Sequence, residues 1–299
     1  MKENIHILLF YKFLDIKNPQ EVAKKHKNDC IKLGLNGRIL FSEEGINGSV
    51  AGTVDKTEAY KKMMRQDERF SDIVFKEDIG ISMPFRKMVV KVKKEIVTLK
   101  KKVDLKNSGK NLTPKEFLDL YEKGEDVIVL DTRNNYESKV GKFKNAITPD
   151  IEKFSDFPDF VETIKDKKDK KIVMYCTGGI RCEKASAYMK EQGFKDVSQL
   201  KGGILTFGKE FPDTVWEGTC FVFDRRLVSS VNKESKPITN CETCGALCDL
   251  CRNCSNAACD KMFVQCMDCK HKLIGCCSNE CFQKHKLIKC HQEKQVISQ

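Results

Sequence analysis

The feature that most constrains the fold is a strand that runs into a glycine-containing turn and then into a helix, over residues 171–192. Residues 171–175 carry the β-branched and apolar side chains of a short buried strand, and residues 182–192 contain no helix breaker. Gly178 and Gly179 lie between them and allow the backbone to turn with its N–H groups facing inward. The segment therefore predicts an anion-binding turn at the N-terminus of a helix.

Cys176 stands at the start of this turn, directly after the predicted strand. The helix dipole and the unpaired N–H groups lower the pKa of a thiol in that position, and Arg181 adds a permanent positive charge. These features favour a nucleophilic cysteine. The alternative is an inert, buried cysteine at the end of a strand; we prefer the nucleophile because the glycines, the arginine and the helix start occur together.

The N-terminal part of the chain carries its own pattern of strands and helices. We predict strands at 5–11, 38–42, 49–51, 73–76 and 86–92, and helices at 19–33 and 53–66. This order, with one extra strand at its end, is typical of a split-βαβ sandwich of the ferredoxin-like or acylphosphatase-like kind, a fold that fixes no function. Residues 43–49 are more specific than a connection requires, although we interpret them as an ordinary hairpin loop.

The middle of the chain alternates strands with helices. Thr113 is the predicted N-cap of a helix that begins at Pro114, and a second helix is predicted at 160–165. Strands are predicted at 127–130, 171–175 and 197–200. The alternation indicates a mostly parallel sheet covered on both faces, with its reactive loops beyond the carboxyl ends of the strands. Cys176 and the segment 131–133 lie in such loops.

A lysine-rich segment separates the two predicted domains, and it permits two interpretations, a solvated linker or a surface that contacts phosphate groups. We place the domain boundaries as follows: an N-terminal α+β domain at 1–95, a basic linker at 96–111, an α/β domain at 112–228, and a linker with a cysteine-rich tail at 229–299.

The net charge of +11, from 54 basic and 43 acidic residues, suggests a polyanionic partner. The first apolar run is too short and too closely flanked by charge for a signal peptide, and no later segment is long enough to span a membrane. We therefore expect a cytoplasmic protein without membrane association. The 16 cysteines are then expected to bind metal or do chemistry rather than form disulfides.

The cysteines concentrate in the tail, where twelve of the 16 lie at 241–290. Repeated Cys-x2-Cys pairs at this density are typical of structural zinc sites. Two tetrahedral ions need eight ligands, and our preferred sets interleave as a cross-brace: Cys241, Cys244, Cys266 and Cys269 for one ion, and Cys254, Cys259, Cys277 and Cys281 for the other. The alternative ligands are Cys248, Cys251, Cys276, His285 and Cys290. Few apolar residues surround them, so the metal is expected to supply most of the folding free energy.

The middle of the chain resembles a rhodanese domain. The resemblance rests on the segments 130–133, 135–137 and 141–146 and on the loop from Cys176 to Arg181, and it covers roughly residues 112–215. It implies that Cys176 is the active cysteine, held with its substituent by Thr177, Gly178, Gly179, Ile180 and Arg181. Asp131 and Arg133 would support the loop. Related phosphatases use a longer loop that admits phosphate, so a sulfur-sized substituent fits better here.

The whole chain is similar to one rhodanese subfamily, the tRNA uridine hydroxylases. The resemblance adds the segment 44–49, the nine-residue sequence CTGGIRCEK at 176–184, and the cysteine-rich tail. It implies an α/β rhodanese-like domain preceded by the α+β domain and followed by a zinc-binding tail. It also implies an oxidoreductase that acts on tRNA, forming 5-hydroxyuridine at the wobble position with molecular oxygen as co-substrate.

The sequence leaves several points of this mechanism open. It contains no two-histidine-one-carboxylate pattern and no dinucleotide fingerprint, so it does not indicate what activates oxygen. Cys182 follows the loop and is interpreted as a small buried residue, with a resolving thiol as the alternative. Two other functions remain as alternatives: a sulfurtransferase that carries a Cys176 persulfide, and a non-enzymatic zinc-dependent adaptor for nucleic acid or protein. The oligomeric state is not indicated.

Overall fold

The computed structural model describes residues 4–124 and 126–287 of the 299-residue chain. The N-terminal domain is a five-stranded sheet in the order β4-β1-β3-β2-β5. Its elements are β1 (Ile5–Phe13), α1 (Pro19–Lys32), β2 (Asn36–Ser42), β3 (Gly45–Gly52), α2 (Val54–Gln66), β4 (Phe75–Gly80) and β5 (Met88–Val92). The β1–β3, β1–β4 and β2–β3 pairs are antiparallel and β2–β5 is parallel, which confirms the predicted split-βαβ sandwich with one extra strand.

The two faces of this sheet have different partners, because side chains alternate along a strand. Leu8 and Phe10 of β1 point into the core that the helices α1 and α2 cover. Leu9 and Tyr11, on the opposite face, line a cavity shared with the second domain. The sheet therefore packs on its own helices with one face and helps to build the site with the other.

The second domain contains a parallel four-stranded sheet in the order β6-β10-β9-β7. Its elements are β6 (Lys110–Leu112), α3 (Pro114–Glu122), β7 (Val127–Asp131), α4 (Asn135–Val140), β8 (Gly141–Phe143), α5 (Phe157–Thr163), β9 (Lys171–Tyr175), α6 (Ile180–Glu191), β10 (Asp196–Leu200) and α7 (Gly203–Glu210). Both faces are buried: Ile172 and Met174 of β9 pack into one apolar cluster, and Val173 and Tyr175 into the other. The predicted parallel sheet is confirmed.

Two helix starts follow from local chemistry. Thr113 caps α3 in a capping box, since its hydroxyl accepts from the Glu116 N–H at 3.2 Å and its own N–H donates to the Glu116 carboxylate at 2.8 Å. The helix predicted at 160–165 is wrong in its bounds, because α5 begins at Phe157. Pro158 lies in its first turn, where a missing N–H costs no hydrogen bond.

The predicted linker at 96–111 is anchored to the protein by buried apolar side chains. Ile96 is 1% exposed and Leu99 is 0% exposed, and Leu99 belongs to an apolar cluster of the second domain. The surrounding lysines, such as Lys94 and Lys101, stay exposed. The predicted linker is thus a fixed connection whose charges face solvent.

The remaining chain forms short strands and the tail. Its elements are β11 (Trp216–Gly218), β12 (Cys220–Phe221), β13 (Val228–Ser229), β14 (Cys251–Asn253), β15 (Met262–Val264) and α8 (Met267–Leu273), followed by helical residues at 279–287. β11 pairs with β8, and β12 pairs with β13 across the domain boundary predicted at 228. Within the described part of the chain, no helix combines the length and apolar character needed to cross a bilayer.

Candidate active site and metal centres

The loop from Cys176 to Arg181 lies at the carboxyl end of β9 and at the N-terminus of α6. The Gly179 N–H donates to the Cys176 Sγ at 3.0 Å, and the Arg181 N–H is a second donor. Gly179 adopts a φ of +100°, a conformation that side chains with a Cβ rarely adopt. The loop amides therefore face the sulfur as the sequence predicted.

The surroundings of Cys176 favour its thiolate. Burial by itself would raise the pKa of this thiol, but a hydrogen bond from the Cys182 thiol, the charge of Arg181 and the two loop N–H groups together lower it to about 5. At neutral pH the sulfur is therefore ionised. This electrostatic balance is the chemical basis for treating Cys176 as a nucleophile.

Arg181 is engaged by a residue that the sequence did not identify, Glu137 at the start of α4. The two guanidinium nitrogens donate to the two carboxylate oxygens at 2.5 and 2.9 Å, and Glu137 is fully buried. Burial would lower the pKa of Arg181, but the charge and hydrogen bonds of Glu137 outweigh it and raise that pKa. Arg181 is consequently a fixed cation whose field at the sulfur is partly balanced by a carboxylate.

Asp131 and Arg133 form a second buried pair, at 2.7 Å. Arg133 also donates to the carbonyl of Gly141 at 2.6 Å, which ties the end of β7 to β8. Neither residue lines the cavity. Their placement agrees with a supporting role for the loop.

Cys182 lies in the first turn of α6 with no exposed surface. Its Sγ is 3.5 Å from the Thr132 hydroxyl, and burial together with the neighbouring Cys176 thiolate raises its pKa well above the usual value. Cys182 thus remains a protonated thiol that donates to Cys176. It is absent from the cavity wall, so reagents in the cavity meet Cys176 first.

A cavity of about 460 Å³ separates the loop from the N-terminal sheet. Its wall includes Cys176, Thr177, Gly178, Ile180 and Arg181 from the second domain, and Leu9, Tyr11 and Lys76 from the first. Cys176 itself is 0% exposed, so its sulfur is not open to bulk solvent, and the residue forms part of the wall of this cavity. Its volume falls in the range of small-molecule sites, roughly 300–1,000 Å³.

The N-terminal sheet rests directly on the loop glycines. A Cβ on Gly178 would lie 3.0 Å from a Leu9 methyl group, and one on Gly179 would lie 3.0 Å from the Tyr11 hydroxyl. The Tyr11 hydroxyl also donates to Glu183 at 3.3 Å. Glycine at these two positions therefore permits the close approach of the two domains as well as the turn itself.

Lys184 holds the two domains together from the next turn of α6. Its ammonium donates to Glu44 at 2.8 Å and to Glu95 at 2.7 Å, and its side chain is 4% exposed. We interpreted residues 43–49 as an ordinary hairpin loop. The hairpin is present, but its turn is only 43–44 because β3 begins at Gly45, and Glu44 also forms an interdomain ion pair that a single sequence does not reveal.

Lys76 on β4 is one of four cationic residues of the cavity wall, with Arg38, Arg181 and Arg226. Its ammonium lies 4.9 Å from the centroid of the Tyr11 ring, and no carboxylate of the described residues forms an ion pair with it. Burial lowers its pKa, while the charges of Cys176 and Glu183 act in the opposite direction. Lys76 is therefore a cation with capacity for a new partner.

The tail brings together both predicted sets of thiols: Cys241, Cys244, Cys266 and Cys269 in one, and Cys254, Cys259, Cys277 and Cys281 in the other. Within each set the sulfur atoms lie within 4.8 Å of one another. The Cys244–Cys266 sulfur distance is 3.7 Å, and the Cys259–Cys277 distance is 3.8 Å. A tetrahedral ion with Zn–S bonds of about 2.3 Å requires sulfurs about 3.8 Å apart, so the thiols fit such an ion.

The alternative ligands lie outside these two groups. Cys248 and Cys251 are buried beside the first set, and Cys276 is buried beside Cys254. His285 is part of neither group. Cys290 lies outside the described residues.

Three domain families match the chain. An UPF0176 acylphosphatase-like domain matches residues 5–96, a rhodanese-like domain matches 113–210, and a rhodanese C-terminal family matches 217–282.

Proteins named tRNA uridine(34) hydroxylase are similar over nearly the full length. The one from Cytophaga hutchinsonii is 43% identical over 98% of this chain and 92% of its own. Those from Bacillus licheniformis and Chlamydia felis are 43% and 41% identical over 94% and 96% of this chain, and over 89% and 90% of their own lengths.

Proposed function

The chain belongs to the tRNA uridine(34) hydroxylase family, and on that premise we propose that it hydroxylates the wobble uridine of tRNA with Cys176 as the reacting group. One observation supports the residue assignment above all: the Cys176 sulfur accepts the Gly179 N–H at 3.0 Å and forms part of a cavity wall between two domains. A preformed thiolate at an interdomain cavity is suited to attack on an electrophilic ring carbon. The sulfurtransferase and adaptor alternatives are not favoured by the relatives.

The proposed first step is addition of the Cys176 thiolate to C6 of the uracil ring. A carbon–sulfur bond forms, the C5–C6 double bond shifts toward C4, and the electron pair comes to rest on the C4 oxygen. C5 thereby becomes electron-rich and open to oxidation. The net reaction replaces the C5–H bond by a C5–OH bond, a two-electron oxidation of the ring. One atom of O2 enters the product and the other leaves as water, which consumes two further electrons and two protons from an external two-electron reductant, such as a thiol. Loss of the C5 proton then expels the Cys176 thiolate and restores the C5–C6 double bond.

The oxygen that becomes negative in this adduct needs a positive partner. Arg181 is already paired with Glu137, whereas Lys76 and Arg38 line the same cavity without an ion pair to a carboxylate of the described residues. Of these two, Lys76 is the one whose pKa is affected by the charge of Cys176. We assign the stabilisation of the enolate oxygen to Lys76, supported by the loop N–H groups. Arg181 serves chiefly to keep the sulfur ionised.

Molecular oxygen is the proposed co-substrate, and tRNA the proposed partner, in the cytoplasm. Mass spectrometry of tRNA nucleosides tests substrate and product together: the purified protein should convert wobble uridine to 5-hydroxyuridine, and oxygen-18 gas should label the product. Label from oxygen-18 water would exclude molecular oxygen as the source. Sulfur in the nucleoside, or thiosulfate turnover without tRNA, would support the sulfurtransferase instead.

The tail is proposed to bind two structural zinc ions through its two sets of thiols. All four positions around each ion are then filled by cysteine, which leaves no site for substrate and is typical of structural zinc. The tail joins the second domain through α4, since Lys139 pairs with Glu242 at 3.5 Å and Val140 shares an apolar cluster with Val264. Zinc would therefore stabilise the surface that adjoins the catalytic loop.

A further inference from the structure

Phe223 is an exposed aromatic residue at the cavity. It lies in the turn between β12 and β13, lines the cavity wall, and is 57% exposed. Burial of an aromatic ring is favourable, so a flat ligand that covers Phe223 as it enters the cavity gains binding free energy from the contact. The mechanism derived above does not use this residue.

The position of Phe223 is fixed by contacts on both sides. Its ring packs edge-on against Phe221 at a centroid distance of 5.1 Å. Arg226, in the same turn, pairs with Asp224 at 2.7 Å and with Asp78 of the N-terminal domain at 2.6 Å. The turn is therefore held to both domains, and the exposed ring is a rigid feature of the cavity rim.

The ring is also close to the reacting group. The Arg181 guanidinium carbon lies 5.7 Å from the Phe223 ring centroid, and the Arg181 backbone N–H donates to the Cys176 sulfur. A flat ligand that lies against Phe223 is consequently adjacent to the loop that carries the thiolate. Phe223 thus combines an exposed aromatic ring with proximity to the loop that carries Cys176.

We propose that Phe223 is the stacking platform for the target uracil, which leaves the anticodon stack and lies against this ring when it enters the cavity. Proteins that recognise single-stranded RNA commonly stack splayed bases on aromatic side chains, and enzymes that modify a base hold it between aromatic or apolar groups. The inference rests on the proposed function, because it takes the wobble uridine as the ligand. It adds the residue that selects and orients the base.

A double-mutant cycle tests this contact. Two anticodon stem–loop RNAs are compared, one with uridine at the wobble position and one with an abasic site there, and their Kd values are measured by fluorescence anisotropy. The wild-type protein should bind the uridine RNA about tenfold more tightly, which corresponds to about 1.4 kcal/mol. Phe223→Ala should bind both RNAs equally, because the base then has no platform. Phe223→Tyr should keep the preference, and Phe223→Leu should lose most of it.

Ile81→Ala is the matched control, since Ile81 is 89% exposed but does not line the cavity. It should preserve both Kd values. If Phe223→Ala retains the full preference for the uridine RNA while the wild type hydroxylates tRNA, the stacking assignment is wrong and the proposed function stands. If Phe223→Leu prefers the uridine RNA as strongly as the wild type does, any apolar side chain suffices at this position. That result would also overturn the stacking assignment. A wild type that neither binds nor hydroxylates the uridine RNA would contradict the proposed function itself.

Discussion

Cysteine serves two different purposes in the catalytic loop and in the tail. In the loop, one thiolate is held by backbone N–H groups at the end of a parallel strand, inside a domain with two apolar clusters. In the tail, eight thiols form two groups with little else around them. Among the described residues 241–287, the fully buried apolar side chains other than cysteine are Phe263 and Val264.

The two regions differ in whether the fold forms before the site is occupied. The loop is shaped by the sheet beneath it, so the fold is expected to form without any ligand and to present the thiolate ready for use. The tail lacks a core of that size, so we expect its folding free energy to depend on the ions proposed to bind its thiols. In this proposal the same residue type is a reactive group in one region and a structural metal ligand in the other.

The largest expected effect comes from replacing Cys176, which should change activity but not the cysteine-rich tail. Cys176→Ser should lower the hydroxylation rate by at least ~10³-fold, because a serine hydroxyl is not ionised in this loop. Zinc content and thermal stability of the tail should not change. Product is measured by nucleoside mass spectrometry and metal by elemental analysis.

Cys30→Ala is the control for Cys176, since Cys30 is a buried thiol of the N-terminal core whose pKa burial raises to about 12. It should keep nearly full activity. A Cys176→Ser protein with normal turnover would remove this residue from the chemistry.

The second prediction concerns the tail. Cys266→Ser should lose one of the two proposed ions, whereas Cys248→Ser should lose none, because Cys248 is buried outside both groups. The loss removes binding free energy on the order of 10 kcal/mol from the folded tail. Proteolysis should then cut the tail while Cys176 still reacts with iodoacetamide at its normal rate. If Cys248→Ser loses metal instead, the ligand sets are assigned wrongly.

The sequence predicted features that depend on neighbouring residues, but not contacts between residues that are distant along the chain. Cysteine spacing located both thiol groups of the tail, since short turns bring Cys-x2-Cys pairs together whatever surrounds them. The strand, glycine turn and helix around Cys176 were predictable for the same reason, because consecutive residues determine them. Glu137, which pairs with Arg181 across 44 positions of sequence, depends on how α4 packs against α6. No periodicity in a single sequence encodes that contact.

The other half of the cavity was missed for the same reason. Tyr11 and Lys76 come from the N-terminal sheet, and their approach to the loop depends on how one domain docks on the other. The alternation of β1 predicted an outward face but not what covers it. Phe223 lies beyond the last strand that we predicted, at 197–200, in the turn that joins β12 to β13.

The third prediction tests whether the enolate proposed to form at Cys176 needs a cation from the other domain. Lys76→Met should lower kcat by roughly 10- to 100-fold, because the enolate oxygen loses its charged partner. Lys94→Met, at an exposed lysine outside the cavity, should have no effect.

The pH profile distinguishes this role from a structural one. Wild-type activity should rise as Cys176 ionises near pH 5 and fall at alkaline pH as Lys76, whose pKa is lowered by burial, loses its proton. Lys76→Arg should keep the acid limb and move the alkaline limb to higher pH, since arginine stays protonated. An unchanged alkaline limb would contradict the assignment.

The smallest effect is expected from the second cysteine of the loop. Cys182 is a protonated thiol that donates to the Cys176 thiolate, so Cys182→Ala should raise the pKa of Cys176 from about 5 by roughly one pH unit. Both proteins are then ionised at pH 7.5, and activity there should fall by less than about twofold. The pH dependence of iodoacetamide labelling measures the shift, and Cys182→Ser, which keeps a donor, should lie between the two. If Cys182→Ala abolishes turnover while that pKa stays near its wild-type value, Cys182 acts as a redox partner, and the loop contains two reacting cysteines instead of one.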